Sequence, residues 1–200
     1  MSVDTLKQAY PWPPKSVLTA EKNKHGWFSG GTHFAQFCGP DVKVYLELGS
    51  WLGMSARWVA DRCPNAQVIC VDHWEGSAEH HKKIEWREML PTLYETFLVN
   101  MYEYRERLIP LRASTLDGMR TVHAHGVVPD LIYIDACHHE EPVYQDVSLA
   151  LELFPKAQII GDDWRFGDVK RGVHRALRER KIEHRLVEAD KVWSLLKEPS

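Results

Sequence analysis

Asp135 closes one apolar run, Leu131-Ile132-Tyr133-Ile134, and Asp162 and Asp163 close the next, Ile159-Ile160-Gly161. If these runs are neighbouring parallel strands, three carboxylates arrive at one mouth of a sheet. Converging carboxylates repel one another unless something positive lies between them. A hard divalent cation such as Mg²⁺ answers that need, because it takes one or a few carboxylates and leaves positions for water and substrate. An oxygen-only ligand set favours Mg²⁺ or Mn²⁺ over zinc. The alternative is that each aspartate merely ends a strand or caps the helix that follows.

A second constellation lies upstream. Val44-Tyr45-Leu46-Glu47-Leu48 runs into Gly49-Ser50-Trp51-Leu52-Gly53-Met54-Ser55, which opens a helix expected over Ala56 to Arg62, and Asp72 ends the following run, Val68 to Val71. A strand, a glycine-containing turn and a helix, with an acid closing the next strand, is a layout that holds a ribose. In dinucleotide sites the second glycine lets the backbone approach a pyrophosphate; here that place is taken by Trp51. A phosphate-free nucleoside suits the turn better. S-adenosylmethionine has that chemistry, with Asp72 on its ribose hydroxyls and Glu47 near its cationic methionine end.

These residues need a frame. The chain has 200 residues, 44% hydrophobic and 26% charged, enough for one domain with a full core. Strands are expected at Val44–Leu48, Gln67–Asp72, Leu108–Arg112, Leu131–Asp135 and Ala157–Gly161. Helical spacing is visible in Val143, Val147, Ala150, Leu151 and Phe154, with Pro142 in the first turn and Pro155 as a stop, and again in Val169, Val173, Ala176 and Leu177. Alternation of strands and helices gives a doubly wound, mostly parallel α/β sheet with right-handed crossovers. The tail, Glu183 to Glu188 and Lys191 to Leu196, reads as an antiparallel hairpin pivoting on Ala189-Asp190. Residues 1–40, with Pro11, Pro13, Pro14, Gly26, Gly30 and Gly31, read as an irregular arm able to serve as an active-site lid, with a short helix at Thr32 to Phe37, and 41–200 as the domain. The stretch from Trp86 to Tyr104 reads as an amphipathic helix. The preceding His80-His81 pair is expected on a solvated surface, because adjacent residues do not share a helix face.

The motifs resemble class I S-adenosylmethionine-dependent methyltransferases, in particular the small-molecule branch of metal-dependent antibiotic-sugar O-methyltransferases and relatives of cephalosporin hydroxylase. The similarity runs from about Gly26 to the C-terminus and implies a Rossmann-like, seven-stranded fold. It assigns the cofactor to Glu47, Gly49, Ser50, Gly53 and Ser55, its ribose to Asp72, and its adenosine to the neighbourhood of His73, Trp74 and Ser114. It also implies Asp135, Asp162 and Asp163 as cation ligands beside Ile134-Asp135-Ala136-Cys137-His138. Members of the family often carry an acid where Cys137 stands. His138 is then the expected base, favoured over the adjacent His139, since imidazole titrates near neutrality; the alternative is that either histidine only hydrogen-bonds a loop.

The expected activity is methylation of a small hydroxylated molecule with S-adenosylmethionine and Mg²⁺ or Mn²⁺. The alternatives are a metal-independent O- or N-methyltransferase and a non-catalytic S-adenosylmethionine-binding module. A nucleotide-dependent oxidoreductase is disfavoured by Trp51. The net charge of −3 provides no general basic field for nucleic acid, and the basic stretch from Lys170 to Lys181 reads as a solvated helix face. Neither a membrane span nor a signal-peptide core is visible, which places the expectation in the cytoplasm. Cys38, Cys63, Cys70 and Cys137 read as incidental thiols. A homo-oligomer is compatible with the sequence.

Overall fold

The computed structural model describes residues 2–23, 26–181 and 184–197. Parallel strands β1 (Val44–Leu48), β2 (Gln67–Asp72), β3 (Leu108–Arg112), β4 (Leu131–Ile134) and β5 (Gln158–Gly161) are completed by β6 (His184–Ala189) and β7 (Val192–Lys197). Their order is β3-β2-β1-β4-β5-β7-β6, with β7 antiparallel to both β5 and β6. This is a Rossmann-like sheet with a C-terminal antiparallel hairpin. The hairpin turns at Asp190-Lys191, one residue later than the expected Ala189-Asp190 pivot, with Asp190 at φ +59°. The expected start at Glu183 lies outside the described residues.

Side chains alternate across the strands. Leu46, Leu48, Ile69, Val71, Ile132 and Ile134 enter one apolar layer with helices α7 (Thr115–Ala124), α8 (Glu140–Leu153) and α9 (Gly167–Arg180). Tyr45, Val68, Cys70, Leu131 and Tyr133 face the other layer, against α3 (Met54–Arg62) and α6 (Leu93–Met101). Burial on both faces accounts for the near-continuous apolar strands. Glu47 shares the Tyr45 face by the same alternation, so a charged residue is carried into the interior with 0% exposure.

The arm packs against the domain. It contains helix α1 (Val3–Ala9), which sequence periodicity does not reveal, and its Leu6 is buried in the first layer. Helix α2 (Gly31–Phe34), followed by a 3₁₀ turn at Ala35–Phe37, occupies the expected short helix and buries Phe34 in the second. The helix expected over Trp86 to Tyr104 is instead broken. Between α4 (Ala78–Lys82) and α6 lie α5 (Ile84–Arg87) and a 3₁₀ turn, Leu90–Thr92, that begins around Pro91. Proline lacks the N–H that a continuous helix would use there. The basic stretch on α9 is paired with carboxylates: Arg171 with Glu140, Arg175 with Glu141 and Glu179, and Arg180 with Glu152. All four cysteines are free thiols.

One glycine fixes the geometry on which the site depends. Gly49 leaves β1 at φ +91°, and a Cβ placed there would lie 2.1 Å from the Asp135 carbonyl oxygen. Only a residue without a side chain lets the ends of β1 and β4 meet so closely. Gly49→Ala is expected to lower stability by at least about 2 kcal/mol, read as a lower urea midpoint at unchanged m-value. A midpoint within error of the parent would contradict this packing.

Candidate active site

The turn after β1 is held by its own polar groups. Glu47 Oε2 accepts from Ser50 Oγ at 3.2 Å and from Cys70 Sγ at 3.7 Å, while Ser55 Oγ donates to Oε1. Burial pushes the Glu47 carboxyl up to about 7, and the hydroxyl donors offset only part of that. Asp72 Oδ2 accepts from the N–H groups of Ser50 (3.0 Å) and Trp51 (2.9 Å), and Oδ1 accepts from Trp74 N–H at 2.7 Å. A carboxylate has about four acceptor sites, so Asp72 can orient the turn and still accept from a ribose. His73 beside it is half exposed, and Ser114 caps α7 through Asp117 N–H at 3.2 Å.

Trp74 lies at the turn itself. It is buried at φ +52° under the turn, packed on Tyr94 and Phe97, and its indole donates to the Trp51 carbonyl at 2.8 Å. It supports the turn from below. Trp51 itself has φ +45° and a buried indole N–H with no partner among the described residues. An unsatisfied buried donor and a buried carboxylate at one turn match a ligand that brings an acceptor and a positive charge. His80 is not on a solvated surface as its sequence suggests. Its ring stacks on Trp51 at 4.3 Å and 20°, with Trp86 at 5.2 Å, and burial lowers its pKa. His81 is exposed, its Nε2 lying 3.0 Å from the Glu75 carbonyl.

Across from Gly49 lies the acidic end. One ligand atom each from Asp135, His138 and Asp163 falls within 4.8 Å of the others. His138 Nε2 is 2.7 Å from Asp163 Oδ2, and its ring stacks on Phe166 at 5.2 Å and 9°. That hydrogen bond raises the His138 pKa. Asp162 does not join this cluster. Its Oδ2 accepts from Tyr133 Oη at 2.7 Å and its Oδ1 from Asp163 N–H at 2.7 Å, an arrangement that fixes Asp163 at φ +59°. Trp193 of β7 secures the same turn, donating to the Asp162 carbonyl at 3.1 Å across the space left by Gly161.

Asp135 carries the electrostatic cost of this gathering. Burial, and then the charges of Asp162, Asp163 and Glu47, hold its carboxyl well above the usual range. A cavity of about 10 Å³, bordered by Asp135, Cys137, His138, Asp162, Asp163 and Trp193 among others, has room for roughly one water-sized sphere. A divalent cation fits both its size and its donors. The imidazole makes this a mixed nitrogen and oxygen set, which widens the candidates from Mg²⁺ and Mn²⁺ towards iron and zinc. The roles of Tyr133, Trp193 and Asp162 as supports were not visible in sequence, where Tyr133 and Trp193 read only as strand residues.

A family model described as a methyltransferase domain matches residues 46–164, from within β1 to just beyond the second acidic turn. The chain belongs to this methyltransferase family. Solved structures share the fold of the methyltransferase at low sequence identity. Cofactor-bound Rv0187 from MTB is 18% identical, with a TM-score of 0.61 over 98% of this chain and 88% of that one. An O-methyltransferase from Bacillus cereus in complex with SAH gives 16%, 0.60, and 98% and 97%. The O-methyltransferase TomG from Streptomyces achromogenes, in complex with SAM, gives 15%, 0.60, and 84% and 78%. No curated protein matches the chain. No helix among the described residues is long and apolar enough to cross a membrane.

The buried carboxylate of this turn makes the methyltransferase's stability depend on pH. The folded-state pKa of Glu47 is raised, so the folded protein holds a proton that the unfolded chain releases from about pH 4.5 upwards. Stability from this group is complete below that range and is lost as pH rises through about 7. Glu47→Gln is expected to raise the stability of the cofactor-free protein at pH 8 by up to roughly 3 kcal/mol and to change it little at pH 5. The same variant should weaken S-adenosylhomocysteine binding. Denaturant midpoints at the two pH values, with calorimetric titration, check both.

Proposed function

We propose that the methyltransferase transfers the methyl group of S-adenosylmethionine to a hydroxyl of a small molecule, assisted by a divalent cation held at Asp135, His138 and Asp163. One observation carries this reading: the Gly49 backbone of the cofactor turn lies directly against Asp135, so cofactor and cation chemistry share one wall. When bound, the cofactor supplies an electrophilic methyl and the cation lowers the pKa of a coordinated hydroxyl. Glu47 offers negative charge towards the cofactor's ammonium. Ser50 and Ser55 keep that carboxylate in place, and Asp72 accepts from the ribose while bracing the turn. His73, Trp74 and Ser114 border the adenosine, with Trp74 acting from beneath the turn.

Asp135, His138 and Asp163 would hold the cation, the proton of the acidified hydroxyl would leave to water, and Asp162 fixes the angle of Asp163. Positioning a nucleophile in line with the breaking bond is the main task in such a transfer. The arm and the segment 74–104 border the acceptor side as a lid. We take the acceptor to be a small molecule, the working compartment to be the cytoplasm, and nucleic acid not to be a partner; a homo-oligomer is compatible with the same site.

The 2.7 Å contact between His138 and Asp163 favours one second reading, in which no cation is used. Asp163 then orients His138, which accepts the hydroxyl proton as a general base. Chelation separates the two. Under the cation reading, EDTA abolishes turnover, added Mg²⁺ or Mn²⁺ restores it, and Asp163→Asn weakens metal affinity by about 10- to 100-fold or more. Turnover unchanged by EDTA rejects the cation. The metal-free reading then requires His138→Ala to lower kcat by about 100-fold or more.

A further inference from the structure

Two segments outside the strand and helix frame, the arm and the stretch 74–104, reach the cofactor turn, and one buried side chain joins all three. Asn100 on α6 is 1% exposed. Its Oδ1 accepts from Asn23 N–H at 3.0 Å, and its Nδ2 donates to the carbonyls of Asn23 (2.6 Å) and Leu52 (3.0 Å). Both backbone groups of an arm residue are thus held by the amide that also holds the turn, one residue before Gly53. Arg57 of α3 donates Nη2 to the carbonyl of Asn100 itself at 3.0 Å, which ties the helix opened by that turn to the same point.

The neighbouring arm contacts are of another kind. Glu95 Oε1 accepts from Ala20 N–H and Thr19 Oγ1, both at 3.1 Å, at a solvent-accessible surface where water competes. Trp27 is 54% exposed, with its ring centroid 6.1 Å from that of Trp51. Beneath this part of the arm lies a cavity of about 300 Å³, bordered by Ala20, Asn23, Leu52, Met89, Leu93 and Thr96 among others. That volume is at the lower end of small-ligand sites. Arm residues Ala20 to Asn23 form one wall of it, and Asn100 holds the arm at Asn23.

We propose that Asn100 is a positioning residue that couples occupancy of the cofactor turn to ordering of the arm over this cavity. The inference rests on the turn being the S-adenosylmethionine site. A ligand on the turn fixes the Leu52 carbonyl and with it the Asn100 amide plane. Because the amide is planar, fixing Nδ2 also aims Oδ1 at Asn23 N–H. If the arm lifts, a buried carboxamide loses two partners at once, which is costly away from water. Linkage makes the effect reciprocal, so an ordered arm also favours the liganded turn.

Hydrogen exchange of peptides covering residues 19–23, measured with and without S-adenosylhomocysteine, tests this, with binding followed separately by calorimetry. In the parent protein the ligand is expected to slow arm exchange about tenfold, within the usual range of coupling between sites. In Asn100→Ala the ligand still protects α3, but arm protection falls to about twofold or less. Asn23→Pro removes the N–H that Oδ1 accepts without altering a buried side chain. It is expected to behave alike and decides the matter if Asn100→Ala does not fold. Equal arm protection in both variants and the parent, or bound ligand that leaves the parent arm unchanged, overturns the coupling. Failure of S-adenosylhomocysteine to bind the parent overturns the cofactor assignment and this inference together.

Discussion

Negative charge confined to one end of the sheet is the constraint around which the site is built. Glu47, Asp72, Asp135, Asp162 and Asp163 all stand at or just past the C-terminal ends of β1, β2, β4 and β5. Glu47 is fully buried, and the charges of Asp162, Asp163 and Glu47 each push the Asp135 carboxyl upwards. In a medium less polarisable than water such groups repel strongly. Among the described residues, His138 beside Asp163, His73 beside Asp72 and Lys191 near Asp162 answer part of this charge, and burial and mutual repulsion raise the carboxyl pKa values of Glu47, Asp135 and Asp162. Under the proposed function, a cationic cofactor beside Glu47 and a divalent ion beside Asp135 would supply the complementary charges. Binding would then relieve that repulsion.

The surrounding structure exists largely to tolerate the gathering. Three of the five acids are given donors from a rigid element: Ser50, Ser55 and Cys70 for Glu47, three backbone N–H groups for Asp72, and Tyr133 with the Asp163 N–H for Asp162. Donors that favour the ionised form offset part of the desolvation. Glycines admit the close approaches this needs, Gly49 against the end of β4 and Gly161 beneath Trp193. The antiparallel hairpin contributes directly. Its Trp193 holds the Asp162 carbonyl, and the Lys191 carbonyl accepts from Trp164 N–H at 2.7 Å. The acidic turn is clamped from both sides.

Much of this was legible in the chain because it follows from local pattern. The three strands β1, β2 and β3 begin and end where their apolar runs do, and the Glu47 to Ser55 spacing identified the turn. Strand ends placed Asp135, Asp162 and Asp163 at the same mouth. What periodicity could not reveal was orientation. Successive residues after a strand have no fixed face, so Asp162 and Asp163 part company there: one turns to Tyr133 and the other to His138. The helix boundary at Pro91 and the burial of His80 among indoles are also tertiary outcomes, as is Trp74 lying under the turn. Leu6 gave too short a signal on α1 to stand out, and Asn100 looked like any polar residue on a helix until its partners from the arm and the turn were present.

The most direct test of charge complementarity is electron paramagnetic resonance of Mn²⁺ added to the protein with S-adenosylhomocysteine bound, with electron spin echo modulation used to detect nitrogen coupling. The account predicts protein-bound Mn²⁺ with a ¹⁴N coupling that disappears in His138→Gln, and loss of bound ion in Asp135→Asn. Mn²⁺ that stays free in solution, or a nitrogen coupling indifferent to His138, would contradict the assignment of Asp135, His138 and Asp163 as the cation site.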